Sequence, residues 1–317
     1  MGSKVTPTVE GGLIAALTVI LSLAAIYLPI IGAFVEFFCA IPIVVLTVRQ
    51  GFKFGASAVA VSFVLLLMFS GPILAVRMTL SFGLCGLVLG QCLNRGLSAV
   101  KCFIPVLIMG FFAQIVSVAM LSIISGVDVV EQDMKLVRES FTQSFEIYES
   151  MGVDPQVINQ TKEIVEPIVQ LIAVLTPIIL FGVALINTVG TYILSKWIFQ
   201  KLRMKFAEPM PPFAQWRFST VFLYIAAFSA LGLYWGQTRQ ISVLYFIAFN
   251  ALVFAMIVGL TQGLSLLSFL ADKYNVSKFV RRIVFVILIL NIFFLQVVAV
   301  TGLFDMLFDY RKHLKDS

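Results

Sequence analysis

About nine stretches of this chain are apolar enough, over about the right length, to be helices crossing a lipid bilayer. They run roughly over 11–31, 33–48, 54–70, 72–92, 103–125, 164–198, 217–236, 241–270 and 283–304. In hydrocarbon a backbone N–H or C=O finds no water, so a crossing segment must satisfy its hydrogen bonds internally. The expected fold is therefore an all-α, polytopic bundle of about 8–9 transmembrane helices. The stretch 33–48 is short and is bracketed by Pro29 and Pro42. The stretch 164–198 is too long for one straight span; Pro167 and Pro177 should kink it, and its start should project from the membrane.

Composition rules out a soluble alternative. Of 317 residues, 60% are hydrophobic and only 12% charged, with a mean hydropathy of +1.04. Soluble domains carry about 25% charged residues, and a single core stops growing near ~250–300 residues. Lipid is the expected partner of most of this surface. The net charge of +6 does not imply nucleic acid, because basic residues of membrane proteins collect on the cytoplasmic side. A bacterial cytoplasmic membrane, crossed many times, is the expected location.

The Lys and Arg residues set the orientation. With the N-terminus in the cytoplasm, the inside receives Lys4, Arg49, Lys53, Arg95, Lys101, Lys196, Lys201, Arg203, Lys205, Arg217, Lys273, Lys278, Arg281 and Arg282. The outside receives Lys135, Arg138, Lys162 and Arg239. Nine crossings would then put the basic tail of Arg311, Lys312 and Lys315 outside, against the same rule. Either side remains open for the C-terminus, and a missed segment or a re-entrant one would resolve the conflict.

One sizeable polar segment, 126–163, interrupts the apolar runs and falls on the outer side in this orientation. Met134, Val137, Phe141, Phe145 and Tyr148 recur there at three- and four-residue steps, which makes one face of a helix. Gly152 ends that helix, and Asp154-Pro155 reads as the N-cap and first residue of another. The pair either rests on the membrane surface or covers an outward-facing cavity.

Several chemistries find no support. Cys39, Cys85, Cys92 and Cys102 lie in or beside apolar segments without a CxxC spacing, so they read as packing residues. His313 is the one histidine, which leaves no histidine triad and no His-rich metal site. GxxxxGK[ST] and HExxH motifs are missing as well. The chain is read as a non-enzyme that uses no cofactor and no metal.

Polar groups inside spans are the candidates for function. Glu36 in AFVEFFCAIP and Arg77 in GPILAVRMTL would both lie toward the outer ends of their helices. They form either an ion pair pinning two helices or a contact for a polar ligand. Gln114, Asn187, Asn250, Gln262, Asn291 and Gln296 are ordinary interhelical hydrogen-bonding groups or parts of a site, with Gln114 and Asn187 the ligand candidates. Small residues four apart (Gly12 and Ala16, Gly51 and Gly55, Gly86 and Gly90, Gly232 and Gly236, Gly259 and Gly263) allow close helix approach.

Two resemblances add to this reading. GGLIAALTVILSLAAIYLPIIG, IPIVVLTVRQGFKFGASAVAVSF and GPILAVRMTLSFGLCGLVLG together resemble the substrate-binding S components of energy-coupling-factor vitamin transporters. The likeness covers about 11–95 and extends to about 205. It implies a six-helix bundle over 1–205 that binds a small molecule near its outer face. It also implies a first helix that docks a membrane partner through Gly11, Gly12, Ala15 and Ala16. The helices of 206–317 have no counterpart there. Over nearly its whole length, with QGLSLLSFLADKYNVSKFVRR and GLFDMLFDYRK as the strongest segments, the chain resembles the YybS-like family of bacterial polytopic membrane proteins. That resemblance singles out Asp305, Asp309 and Arg311, either a helix-end cap with local Asp–Arg pairing or a contact for an ion or partner. The leading expectation is small-solute binding or transport; the rival is a non-transporting scaffold or regulatory subunit of an envelope complex.

Overall fold

A computed structural model describes residues 6–315, so Lys4 lies outside the described residues. Among the described residues every regular element is helical. Among the described residues, seven helical segments are long and apolar enough to cross a membrane, and a bent pair at the end adds an eighth if it is one span. The chain divides into two compact units, Met1–Met210 and Pro211–Ser317.

In the first unit, α1 (Pro7–Tyr27) opens with Pro7 in its first turn, where the missing N–H costs nothing. The second apolar stretch is broken: α2 (Ile31–Glu36) and α3 (Ile41–Gln50) are separated by a turn over 37–40. Beyond Gly51, a continuous 43-residue segment contains α4 (Phe52–Met78), a π-helix (Thr79–Gly83) and α5 (Leu84–Asn94). It is not one rod. Gly71 has φ 80° and ψ 170°, a region open essentially to glycine alone, and Pro72 follows it. A side chain on Gly83 would sit 2.8 Å from Val59, and one on Gly55 would sit 2.9 Å from Leu87. Each pair is placed symmetrically about Gly71. In a straight helix residues 59 and 83 would be ~36 Å apart. The chain therefore folds back at Gly71 into two antiparallel helices, as the separate stretches 54–70 and 72–92 predict.

α6 (Ala99–Ser125) ends on Gly126 in the left-handed conformation. α7 (Val129–Ser150) is capped by Asp128, whose side chain accepts from Val130 N and Glu131 N. Gly152 at φ +79° turns the chain, and Asp154 caps α8 (Pro155–Val174) by accepting from Gln156 N. The expected apolar face is half-buried at Met134, Val137 and Phe141 and buried at Phe145, whereas Tyr148 is exposed. Arg138 bonds Glu166 through two nitrogens, and Lys162 pairs with Glu149 while lying over the Phe145 ring. The expected long sixth pattern is resolved into α8 and α9 (Thr176–Lys201), with the break at Leu175 just ahead of Pro177. Phe199, Cys102, Val44 and Leu89 centre one core cluster; Val19, Leu66, Met78 and Phe82 belong to another.

In the second unit, α10 (Val221–Thr238) and α11 (Ser242–Lys273) are antiparallel neighbours, with Gly232 against Ala248 and Gly236 against Tyr245. α12 (Lys278–Leu290) and α13 (Ile292–Phe308) meet at Asn291 with a bend of 106°, within the stretch 283–304 that the sequence offered as one candidate span. Asn291 accepts from Phe293 N and Phe294 N, so it caps α13 and breaks the run. Gly302 lies against Gly259 O and Gly263 N, so α13 touches α11 backbone to backbone. A six-residue α14 (Tyr310–Lys315) completes the unit.

Candidate functional site

The four ligand-contact candidates of the first unit do not converge. Glu36 ends α2 half-buried, and Arg77 is exposed on α4. The Arg77 charge acts on the Glu36 carboxyl through space, yet no ion pair within 4.0 Å joins the two side chains among the described residues. Gly110 packs against Ala184 and Thr188. Asn187 therefore lies at the level of Gly110, while Gln114 is a full turn away, ~6 Å along α6. Both side chains are half-buried.

What lies at mid-depth instead is a set of hydroxyls. Thr18 and Ser22 of α1, Ser62 of α4 and Thr79 of the π-helix line a cavity of about 10 Å³ together with Ile43, Val59, Leu66 and Phe82. That is room for about one water. Thr18 Oγ1 donates to Ile14 O and Ser62 Oγ donates to Ala15 O, which leaves their lone pairs available. Thr79 Oγ1 is buried without a hydrogen-bond partner. The chain leaves α-helical geometry at Thr79–Gly83 and again at 37–40, where Cys39 donates to Val35 O. π-segments and helix breaks of this kind gather at functional sites. No single hydroxyl in an apolar run marks this site in the sequence; the signal is that four fall near the middles of adjacent spans.

The docking candidates are split. Gly12 and Ala16 are exposed, and a side chain on Gly11 or Gly12 would meet nothing within 4 Å. Ala15 does not belong with them: it is buried, and its carbonyl accepts from Ser62. Of the remaining small residues of the first unit, Gly55 and Gly90 are filled by Thr47 and Gly86 by Ile43, whereas a side chain on Gly51 would meet nothing within 4 Å.

The C-terminal candidates do form a cluster. Arg311 and Asp305 are 2% and 4% exposed, and Arg311 Nε lies 3.6 Å from Asp305 Oδ2. Arg311 Nη1 donates to Ala214 O at 2.7 Å and Nη2 donates to Ser265 Oγ at 3.0 Å; the guanidinium lies over the Phe269 ring. Ser265 Oγ in turn donates to Phe213 O and Trp216 O. Gln262 Nε2 donates to Asp305 Oδ2, and Gln262 Oε1 accepts from Phe218 N. Asp305 Oδ1 accepts from Tyr310 N. Burial pushes the Arg311 guanidinium down from its ordinary value, and Asp305 and Asp309 oppose that shift; arginine still keeps its charge.

Asp305 and Asp309 do not share a helix face, contrary to their four-residue spacing. Asp309 takes the left-handed conformation, φ 43°, and ends α13. Its carboxylate turns outward to Arg217, 2.7 Å away. The cluster is thus a clamp internal to the unit: Asp305, Gln262 and Ser265 bond within it, while Arg311 Nε is buried without a hydrogen-bond partner and faces Asp305 only as an ion pair. Gln262 was named only as one of six polar span residues, and Ser265 and Arg217 were not site candidates, since their partners lie more than forty residues away. The ion pair of Glu10 with Arg49, with Gln50 donating to the same carboxylate, was likewise hidden.

Among the described residues, no three of His, Cys, Asp and Glu converge where they could hold a metal ion.

Repeated long apolar helices with polar groups held inside define a multi-pass helical membrane protein. The chain belongs to the family described as "Predicted membrane protein (DUF2232)", whose model matches residues 16–306. It is similar to "Uncharacterized protein YybS" of Bacillus subtilis (strain 168), at 25% identity over 319 residues, covering 96% of this chain and 97% of that one. No solved structure matches.

Proposed function

We propose that the first unit is a solute-binding bundle like an S component, with its small polar solute held deeper in the membrane than the outer-face site that resemblance implies. Counting the fold-back at Gly71 as a turn, α1 to α9 make six crossings, the number an S component has. The carrying observation is the hydroxyl-lined cavity of Thr18, Ser22, Ser62 and Thr79, flanked by a π-helix and a broken helix. Irregular backbone at membrane depth is tolerated where it lines a cavity, and transported solutes are held near the midplane. A volume of about 10 Å³ admits no solute, so binding requires α4 and the π-helix to part, with Gly71 as the pivot. The α7–α8 hairpin would cover the outer mouth. The solute brings no energy source with it, and uptake would draw on an ion gradient or a partner.

The test is ligand-dependent thermal stability of the full chain in nanodiscs across vitamins, nucleobases and metal ions, with solute uptake into proteoliposomes. The Thr79→Val and Ser62→Ala variants should lose the shift that the native chain shows. No shift with any ligand, together with no uptake, sinks the reading. The second reading, a scaffold in an envelope complex, draws on the open small-residue face at Gly12 and Ala16 and on exposed Leu136, Ile147 and Met151 of the hairpin segment. A stoichiometric partner that co-purifies in mild detergent and is lost in Gly12→Leu would favour it.

A further inference from the structure

The last apolar stretch, 283–304, has the length of a ninth span, but the contacts of the second unit anchor both its flanks at the same end of that unit. α10 and α11 run antiparallel, with the Phe222 ring against Phe254 and Gly236 against Tyr245. The start of α10 and the end of α11 therefore share one end of the unit, and the turn 239–241 marks the other. α12 begins at the first end: Arg281 Nη1 lies 2.8 Å from Asp272 Oδ1, and Nη2 donates to Ser268 Oγ. α13 finishes at that same end. Thr220 Oγ1 donates to Met306 O at 2.9 Å, Arg217 pairs with Asp309, Gln262 reaches Asp305, and Arg311 reaches Ala214 and Ser265. Between these ends lies the 106° bend at Asn291. Arms of 13 and 17 residues are ~20 and ~26 Å long, and they leave one end of the unit and come back to it.

We propose that α12 and α13 form a re-entrant, lipid-facing element that enters and leaves through one membrane face and returns the C-terminal tail to the side of the segment 211–220. Three observations agree. Asn291 spends its side chain capping α13, which is how a break inside the membrane satisfies its free backbone N–H groups. α12 is apolar and uncovered: Phe279 is 71% and Leu290 81% exposed, and Val286 and Ile287 are exposed too. Lipid chains are the partner that fits such a surface. The charges agree as well. A re-entrant element gathers Arg217, Lys273, Lys278, Arg281, Arg282, Arg311 and Lys312 on one face, as basic residues of short loops gather. A ninth crossing would strand the tail on the opposite side. Lys278 and Arg282 are exposed and form no ion pair among the described residues, so they stand ready for anionic phospholipid headgroups.

The test labels single cysteines in the full chain with its four native cysteines replaced by alanine. Lys205→Cys, Gln240→Cys and His313→Cys are exposed to a membrane-impermeant maleimide, in intact and in opened spheroplasts. His313→Cys should behave as Lys205→Cys and opposite to Gln240→Cys. Labelling of His313→Cys together with Gln240→Cys overturns the re-entrant element. If the cysteine-free chain fails to insert, alkaline phosphatase or a fluorescent protein fused after Ser317 gives the same decision. The headgroup contact has its own arm. Phosphatidylglycerol in phosphatidylcholine nanodiscs should raise the thermal midpoint, and Lys278→Gln with Arg282→Gln should roughly halve that gain. No gain in the native chain, or an undiminished gain in the double variant, overturns the headgroup contact and leaves the topology to the labelling.

Discussion

Replacing Arg311 by methionine tests the clamp of the second unit. The native guanidinium is buried, sits 3.6 Å from the Asp305 carboxylate, and donates to Ala214 O and Ser265 Oγ. Methionine keeps the apolar stem but removes the charge, which leaves Asp305 buried without a cation. Gln262 Nε2 and Tyr310 N still bond that carboxylate, but neither carries a charge. Breaking a buried pair from one side costs about 3–5 kcal/mol. Removing both partners leaves no uncompensated charge; Asp305→Leu with Arg311→Met forfeits the bonds to Ala214 and Ser265 and strands Gln262 Nε2 and Tyr310 N, and should cost about as much as one single change, about 3–5 kcal/mol. The two single changes should therefore be non-additive by about 3 kcal/mol or more. The assay is denaturant unfolding in nanodiscs followed by tryptophan fluorescence. Trp216 is the local probe: its carbonyl accepts from Ser265 Oγ, and its ring nitrogen donates to Pro211 O. A single Arg311→Met change within about 1 kcal/mol of the native chain, or simple additivity of the two, would refute the clamp.

Gly71→Ala forces a side chain into φ +80° and should cost about 1–3 kcal/mol, read as a lower thermal midpoint of the first unit. At Gly302 an added methyl meets Gly259 O and Gly263 N, so Gly302→Ala must push α13 off α11; a loss of about 1–3 kcal/mol and faster proteolysis near 274–291 are expected. The α7–α8 hairpin should respond to acid. Hydrogen bonds from Arg138 and Gln170 hold the Glu166 carboxyl below the usual glutamate range. Its folded pKa is depressed, so the pairing contributes fully above the ordinary glutamate pKa and is lost as pH falls through the lower folded value. Hydrogen exchange in α7 and α8 should quicken over that window, and Arg138→Ala should abolish the change.

The class of fold was legible because apolar length is a local property. So were the turns that single residues dictate: Asp128 and Asp154 cap their helices, and Gly152 turns between them with a left-handed φ that glycine adopts freely. The periodic face of α7 could be read for the same reason. What the spacing did not give was partnership. Asp305 and Asp309 look alike at four residues apart, but the left-handed turn at Asp309 sends one inward to Arg311 and the other outward to Arg217. Gln262 looked like any polar residue in a span, and only the fold brings it to Asp305 and Phe218. Ala15 and Ala16 are neighbours of equal size, yet one is buried under Ser62 and the other is exposed, because adjacent helical positions point 100° apart.

Gly71 and Asn291 show why span counting alone could not close the topology. Both break a long apolar run, and both sit beside helices that would otherwise continue. At Gly71 the arms are 19 residues or longer and fold flat against each other, with Val59 against Gly83 and Leu87 against Gly55. Each arm is about the length a bilayer needs. At Asn291 the arms are 13 and 17 residues and splay apart; the shorter is well below that length. Charge separates the two cases in the sequence itself. Lys278, Arg281 and Arg282 precede the last stretch, and Arg311 and Lys312 follow it. A segment that crosses once has one basic flank in the cytoplasm and one flank outside. With both flanks basic, the cheaper arrangement keeps both on one face, and the contacts of Arg281 and Arg311 with the same end of α11 are what that arrangement requires.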